Sequence, residues 1–387
     1  MGLLAALPAL SIDISAPTLP LLPLALNTSQ TAAGLTLSLF MAGFALGQLG
    51  GGGLSDGRGR RPVLLGGLAC FTLAGLACAV SLSGEVLALS RLIQGLGAGT
   101  CAVISFAMVQ DLFEGDAARA KRSYVTAIFG AVPVLAPALG TILIDVAGWR
   151  SVHAVLAIAG AVLLAVAWAG VGESRLTRPD SGRSLLSSPT LLLWDDSRFV
   201  RFALANALSY GVIFAYIAGS PVVIMRELGL SSSVFAGVFA CTAAALAFGA
   251  WSSGRLGRAG ASATALVTPS LIVSAASTLV LACVSLAGLT AGLLLVPLLL
   301  VVLFTRGIIA PNLQHLAIER HPERAGAASA FVGVSQLTAG VLASAVVAFL
   351  MPIWGANAVA VPMALMAVAA LAAWRWSLAG PADQTMI

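Results

Sequence analysis

Apolar residues come in runs of about 20, the length a helix needs to cross the hydrocarbon core of a bilayer, and short polar or glycine-rich breaks separate them. The runs fall at residues 3–26, 32–54, 63–82, 86–110, 122–146 and 151–172, and again at 199–224, 233–253, 263–286, 289–315, 325–350 and 357–376. This pattern predicts an all-α membrane protein of twelve transmembrane helices in two sets of six. Between the sets lies an extended polar stretch, residues 173–198, with no helical periodicity. It is expected to be a water-exposed linker joining an N-terminal six-helix bundle (1–172) to a C-terminal one (199–387).

Composition agrees with that pattern. The chain is 59% hydrophobic and 9% charged, with a mean hydropathy of +1.01, where a soluble domain carries about 25% charged residues. A net charge of +5 invites a nucleic-acid reading, yet the basic residues sit in short loops between spans. Arg58, Arg60, Arg61, Arg119, Lys121, Arg122, the linker arginines, Arg255, Arg258, Arg320, Arg324 and Arg375 share one side, against Arg150 and Arg226 on the other. The positive-inside bias then puts both termini and the linker in the cytoplasm. No basic segment precedes the first run, which reads as a span and not a cleaved signal peptide. Five cysteines (Cys70, Cys78, Cys101, Cys241, Cys283) all lie within apolar runs, form no C-x-x-C and read as small buried hydrophobes.

Polar residues inside the runs carry the chemistry. Asp13 falls about 15 Å into the first span by helical rise, and an ionised carboxylate there must face a cavity, pair with a cation or take up a proton. Pro17 follows at i+4 and removes the N–H that would bond the Asp13 carbonyl, with Pro20 and Pro23 repeating the effect. A helix bent around an acid suits a proton-binding site; the plainer reading is a neutral carboxyl bonded to a neighbouring helix for packing. Arg91 and Gln94 share a face of the fourth span, and Gly95 and Gly99 extend that face so that another backbone can approach. Arg91 cannot shed its charge; it either pairs with Asp13, tunes it without contact, or snorkels outward. In the fifth span Pro133 and Pro137, with Gly140, predict a bent helix with a small-residue face. Asn206, Tyr210 and Gln336, with Gln94, are candidate cavity liners, whereas Arg306 is expected to snorkel toward the cytoplasm and Asn312 to mark a boundary. The stretch Gly52–Pro62, between the second and third spans, reads as a glycine-rich charged turn, and Gly254–Arg258 repeats it in degraded form in the second half. Such duplication is a recurrent transporter plan. The chain contains no nucleotide-binding P-loop, H-E-x-x-H or serine nucleophile elbow, so an enzyme, a metal site or an ATP-driven pump is not expected.

These residues resemble the major facilitator superfamily. Gly52, Leu54, Asp56, Gly59, Arg60 and Arg61 are similar to its motif A, with Gly57 where a basic residue is usual. Arg91–Ala98 resembles motif B, Ala136–Thr141 the antiporter motif C, and Asp13-x-x-x-Pro17 the acid–proline pair of drug:proton antiporters. Residues 38–48, 148–150, 218–221, 227–230, 310–312 and 325–330 are similar to the bicyclomycin/chloramphenicol-resistance (Bcr/CflA) branch. The resemblance implies proton-coupled export of small amphipathic drugs or antibiotics by alternating access, with no cofactor beyond the proton gradient. It implies Asp13 and Arg91 for proton coupling, and Gly52, Asp56, Gly59, Arg60 and Arg61 as a cytoplasmic gate, with Asp56 at the start of the eleventh span near Arg324–Ala327. The expected setting is a bacterial inner membrane. The expected partners are a small-molecule substrate, protons and lipid, with no nucleic acid, for a protein acting as a monomer. Export of a sugar or other endogenous metabolite is the second reading, and a non-transporting membrane sensor the third.

Overall fold

The computed structural model describes residues 1–113, 132–174, 193, 195–289, 295–321 and 324–379. Among these, the helices crossing the apolar runs are α1 (Gly2–Ser15), α2 (Gln30–Arg58), α3 (Arg60–Ala79), α4 (Gly84–Leu112), α5 (Val132–Ala147), α6 (Trp149–Gly170), α7 (Ser197–Pro221), α8 (Ser232–Arg258), α9 (Ala263–Leu286), α10 (Leu295–Glu319), α11 (Ala325–Trp354) and α12 (Asn357–Ala379). Ten are long and apolar enough to span a membrane, and the two shorter apolar helices, Gly2–Thr18 and Val132–Ala147, complete the expected series. The N-caps follow local chemistry: Ser29, Ser83 and Ser262 accept the N–H of Ala32, Val86 and Ala265, satisfying donors that a helix start leaves free. Large apolar side chains such as Leu73, Ile142, Phe248 and Leu342 stay exposed on the helix faces, as suits surfaces bathed in acyl chains.

Two boundaries differ from the sequence expectation. The first span is not one helix: α1 ends at Ser15, a 3₁₀ turn covers Ala16–Thr18 and a single helical turn covers Leu22–Ala25. Pro17, Pro20 and Pro23 each lack the N–H that would carry the α-helix on. The charged turn is shorter than expected. α2 continues through Gly52–Arg58, and the chain reverses at Gly59 alone, whose φ of +94° lies where side chains are disfavoured. The segment 122–131 of the fifth expected span and most of the linker lie outside the described residues. Cys78 and Cys101 are buried as expected, whereas Cys241 and Cys283 face outward.

The chain divides into two compact units. One comprises Met1–Ser184 with Ile217–Ala243 and Ser344–Ala358; the other comprises Leu185–Tyr216, Ala244–Ala343 and Val359–Ile387. In the first, α2 and α4 cross with their backbones touching. A methyl group on Gly43 would strike the Leu92 carbonyl, on Gly47 that of Leu96, on Gly95 that of Phe40 and on Gly99 that of Phe44. In the second, α8 and α10 repeat the device, Gly249 lying against the Phe304 carbonyl and Gly307 against that of Leu246. Lipid tails are as apolar as leucine, so close contact between small residues, not hydrophobic exclusion, holds such crossings. The first unit also packs late segments onto α2. Ser38 and Ser344 are hydrogen-bonded at 2.9 Å, Gly34 abuts Ala348, and Arg226 donates to Gln30 at 2.6 Å.

Gly95→Val therefore sets a branched side chain against backbone, which cannot yield as a side chain does. Overpacking of this kind costs about 1–3 kcal/mol, so a detergent-solubilised variant is expected to melt several degrees lower. Gly237→Ala, whose added methyl meets open space, is expected to melt like the wild type in the same assay.

Candidate functional site

The end of α1 places Asp13 beside the helix break. The carboxyl is 4% exposed and has no hydrogen-bond or ion-pair partner among the described residues. Ser15 Oγ donates to the carbonyls of Ser11 (2.6 Å) and Ile12 (3.1 Å), and Thr18 Oγ1 donates to the Ser15 carbonyl (2.6 Å). Hydroxyls thus take up acceptors where the proline run interrupts the backbone ladder. Motif C seats itself here as well: Gly140 of α5 lies against the Ile14 carbonyl and Pro17 Cγ, where a side chain would clash. Pro137 is buried next to it, while Pro133 is half-buried at the described start of α5.

Arg91 approaches α1 from α4 and is 2% exposed. Its Nη2 donates to the Ser11 carbonyl and to Ser15 Oγ, both at 3.2 Å, and its Nη1 donates to Gln94 Oε1 at 2.8 Å. The guanidinium lies 4.2 Å from the centroid of the Phe40 ring. Ser11 and Ser15 are one turn apart on α1, and Asp13, midway between them, points to the opposite side of the helix because successive residues turn by about 100°. Arg91 therefore holds the helix that carries Asp13 and does not pair with its carboxylate; its cation is met by a carbonyl, a hydroxyl, an amide and a ring face. It is buried and does not snorkel.

Gln94 is fully buried in this cluster, its Nε2 without a hydrogen-bond partner among the described residues. Sequence reasoning overlooked His153 of α6, 2% exposed, edge-on to Trp149, with Nδ1 likewise unpartnered. Ser11 Oγ is a third orphan. The signal was available, since His153 lies inside an apolar run, but its place near the run's start reads equally well as a boundary.

The motif A residues assemble at the other end of α2. Arg60 is the hub: Nη1 donates to Ser55 Oγ (2.7 Å) and Asp56 Oδ1 (2.8 Å), and Nε donates to Asp111 Oδ2 (3.0 Å) at the end of α4. Glu173, from the expected linker, caps α3 by accepting the backbone N–H of Arg60 (2.9 Å) and of Arg61 (3.1 Å). A carboxylate there meets the positive end of the helix dipole. Arg61 Nη2 donates to the Trp168 carbonyl at 2.9 Å. Gly59 turns the chain, and a methyl on it would meet Glu173 Oε2. Gly52 faces Val103 across α4 with room to spare. Motif spacing identified Asp56 and Arg60 but not Asp111 or Glu173, which arrive from distant parts of the chain. In the second unit Asp196 caps α7 through the N–H groups of Arg198 and Phe199 and pairs with Arg320 at 2.8 Å. Burial opposes its charge, but these bonds and the Arg320 guanidinium outweigh it and hold the carboxyl below its ordinary range.

The remaining candidates fall in the second unit. Asn206 is fully buried and accepts from Arg306 Nη1 at 3.0 Å, and the Arg306 guanidinium lies 5.7 Å from the Tyr210 ring centroid. The expectation that Arg306 snorkels is corrected: midway along α10, it is 4% exposed and turned onto α7. Asn312 is a bonding residue and not a mere boundary, donating to Ser253 Oγ of α8 at 2.7 Å. Gln336 is half-buried on α11. Among the described residues no group of three or more His, Cys, Asp or Glu is placed to hold a metal ion.

Residues 1–344 match the family profile described as Major Facilitator Superfamily. The chain is 31% identical over 379 residues to an uncharacterised MFS-type transporter, YdgK, of Bacillus subtilis, covering 96% of this chain and 92% of that one. It is 34% identical over 254 residues to a chloramphenicol resistance protein of Pseudomonas aeruginosa, covering 65% of this chain and 59% of the other. A crystal structure of a D-xylose–proton symporter superposes with a TM-score of 0.71 at 19% identity, covering 97% of this chain and 96% of that one; at that identity the likeness concerns the fold.

The Arg60 hub predicts that Asp111→Asn, remote in sequence from motif A, slows transport about as much as Asp56→Asn. Initial uptake rates in proteoliposomes at matched protein content test this. A wild-type rate for Asp111→Asn alongside a slow Asp56→Asn would show that the Asp111 arm of the hub is dispensable.

Proposed function

The chain belongs to the Major Facilitator Superfamily, and from that premise we propose that it is a proton-coupled exporter of small amphipathic drugs or antibiotics, working by alternating access in a bacterial inner membrane. The observation that carries this reading is Asp13: a carboxyl 4% exposed within a span, beside a proline-broken helix, without a partner among the described residues. An acid in such a place holds its proton or gives it up according to which side of the membrane it meets, and the break at Pro17 lets the segment beyond it move independently. The similarity to a chloramphenicol resistance protein favours a drug over a metabolite, and the scarcity of charges within the spans suits a ligand of low charge. Export of a sugar or other endogenous metabolite is the second reading.

In this reading the two bundles, 1–172 and 199–387, joined by the cytoplasmic linker 173–198, rock about a central cavity, with both termini in the cytoplasm. Asp13 takes a proton from the outside and releases it inward while substrate leaves. Arg91 acts through the α1 backbone it grips at Ser11 and Ser15, fixing the direction in which Asp13 points. Asp56 latches the cytoplasmic side near the start of α11 and lets go when that side opens. Ser38 and Ser344, 2.9 Å apart, form a seal that must part when the opposite side opens. Gln94, Asn206, Tyr210 and Gln336 contribute to substrate binding.

Asp13→Asn in everted vesicles is expected to abolish export driven by a pH gradient while leaving drug binding within a few-fold of wild type; full gradient-driven export would remove Asp13 from the mechanism. A second test uses the seal. In a background with the five native cysteines replaced, Ser38→Cys with Ser344→Cys is expected to crosslink under mild oxidation and stop transport, with recovery on reduction. Transport that continues in the fully crosslinked protein would mean that this contact does not open during the cycle.

A further inference from the structure

Arg306 is a permanent cation, and among the described residues no carboxylate pairs with it. The acids in the second half of the chain are Asp195, Asp196, Glu227, Glu319, Glu323 and Asp383, every one at or beyond the end of a span. The nearest on its own helix, Glu319, lies about 20 Å along the axis at 1.5 Å per residue. No ion pair with Arg306 exists among the described residues. A buried guanidinium in a membrane helix is ordinarily paired, bonded to carbonyls or open to water; among the described residues this one has a single hydrogen bond, to Asn206.

That bond fixes the polarity of the site. Arginine only donates, so Asn206 must turn Oδ1 toward it and its amide N–H group away. Asn206 Nδ2 and Arg306 Nε are both buried, and neither has a hydrogen-bond partner among the described residues. The two orphans are both donors, one hydrogen bond apart, and what they lack is acceptor oxygens. The guanidinium carbon lies 5.7 Å from the Tyr210 ring centroid. With Nη1 taken by Asn206, the remaining Nε–Nη2 edge has the spacing that receives a planar carboxylate through two parallel N–H···O bonds.

We propose that Arg306, with Asn206, docks a carboxylate group of the transported molecule, the substrate being a small amphipathic organic acid and not a neutral drug. This rests on the transport reading above and narrows its substrate class. The ligand supplies the negative charge that the second half of the chain withholds from its spans, and Asn206 adds a third donor to the carboxylate.

The test compares matched probes on the purified full-length protein in nanodiscs, without any gradient: a series of carboxylates from acetate to 1-naphthoate, each against its uncharged amide. Binding is read by calorimetry and by ligand-induced thermal shift. At least one carboxylate is expected to bind ten-fold or more tightly than its amide. Arg306→Gln is expected to erase that difference. Asn206→Asp places a carboxylate beside Arg306 from within the chain; it is expected to fold, to melt no lower than wild type, and to lose the preference for carboxylate over amide. Equal binding of every acid and its amide to the wild type would overturn the proposal, as would an undiminished preference in Asn206→Asp; either result leaves water as the partner of the two donors. Because binding is measured without a proton gradient, a failure of Asp13 coupling in vesicles and a failure of carboxylate docking are separate results.

Discussion

A guanidinium sealed among helices has to be satisfied by whatever packs against it, and the placement of Arg91 governs much of the first unit. Beside it, α2 and α4 cross at glycines, Gly43, Gly47, Gly95 and Gly99, where the backbones touch. Arg91 donates to the Ser11 carbonyl and the Ser15 hydroxyl. Those groups sit just before the proline-broken turn and opposite Asp13. Close packing, cation placement and the direction of the acid form one connected arrangement, and a change in any of the three is felt by the others.

The same logic recurs with different partners in the second unit. Gly249 and Gly307 allow α8 and α10 to meet, and Arg306, the residue before Gly307, turns onto α7 and Asn206. The first cation is nearly saturated by polar neighbours, whereas the second keeps a buried donor without a partner among the described residues. One cation fastens a helix, and the other is the group to which we propose a substrate carboxylate docks.

At the Arg60 end, charges converge on one guanidinium. Arg60 joins Ser55, Asp56 and Asp111, while Glu173 holds the start of α3. Exposed pairs of this kind are worth about 0–1 kcal/mol each. Spread over several weak bonds, the contacts of this guanidinium do not depend on any single one of them.

The succession of apolar runs, the breaks between them and the residue types inside them were legible from the chain alone, because a bilayer admits only long apolar helices and makes every charge within one conspicuous. Asp13, Pro17, Arg91 and the glycine–arginine turn could be picked out for that reason. Sequence could not say where α1 stops, that the turn is one residue long at Gly59, or that Arg306 is buried. Nor could it supply Asp111, Glu173 and His153 as members of their clusters, or place Arg91 and Asp13 on opposite sides of the same helix. Each of those facts depends on which face of a helix meets a neighbour from a distant part of the chain. Hydrophobicity cannot encode that choice where lipid and protein interior are equally apolar; it is made by the close fit of small residues and by buried polar groups finding partners, and both exist only once the helices have packed.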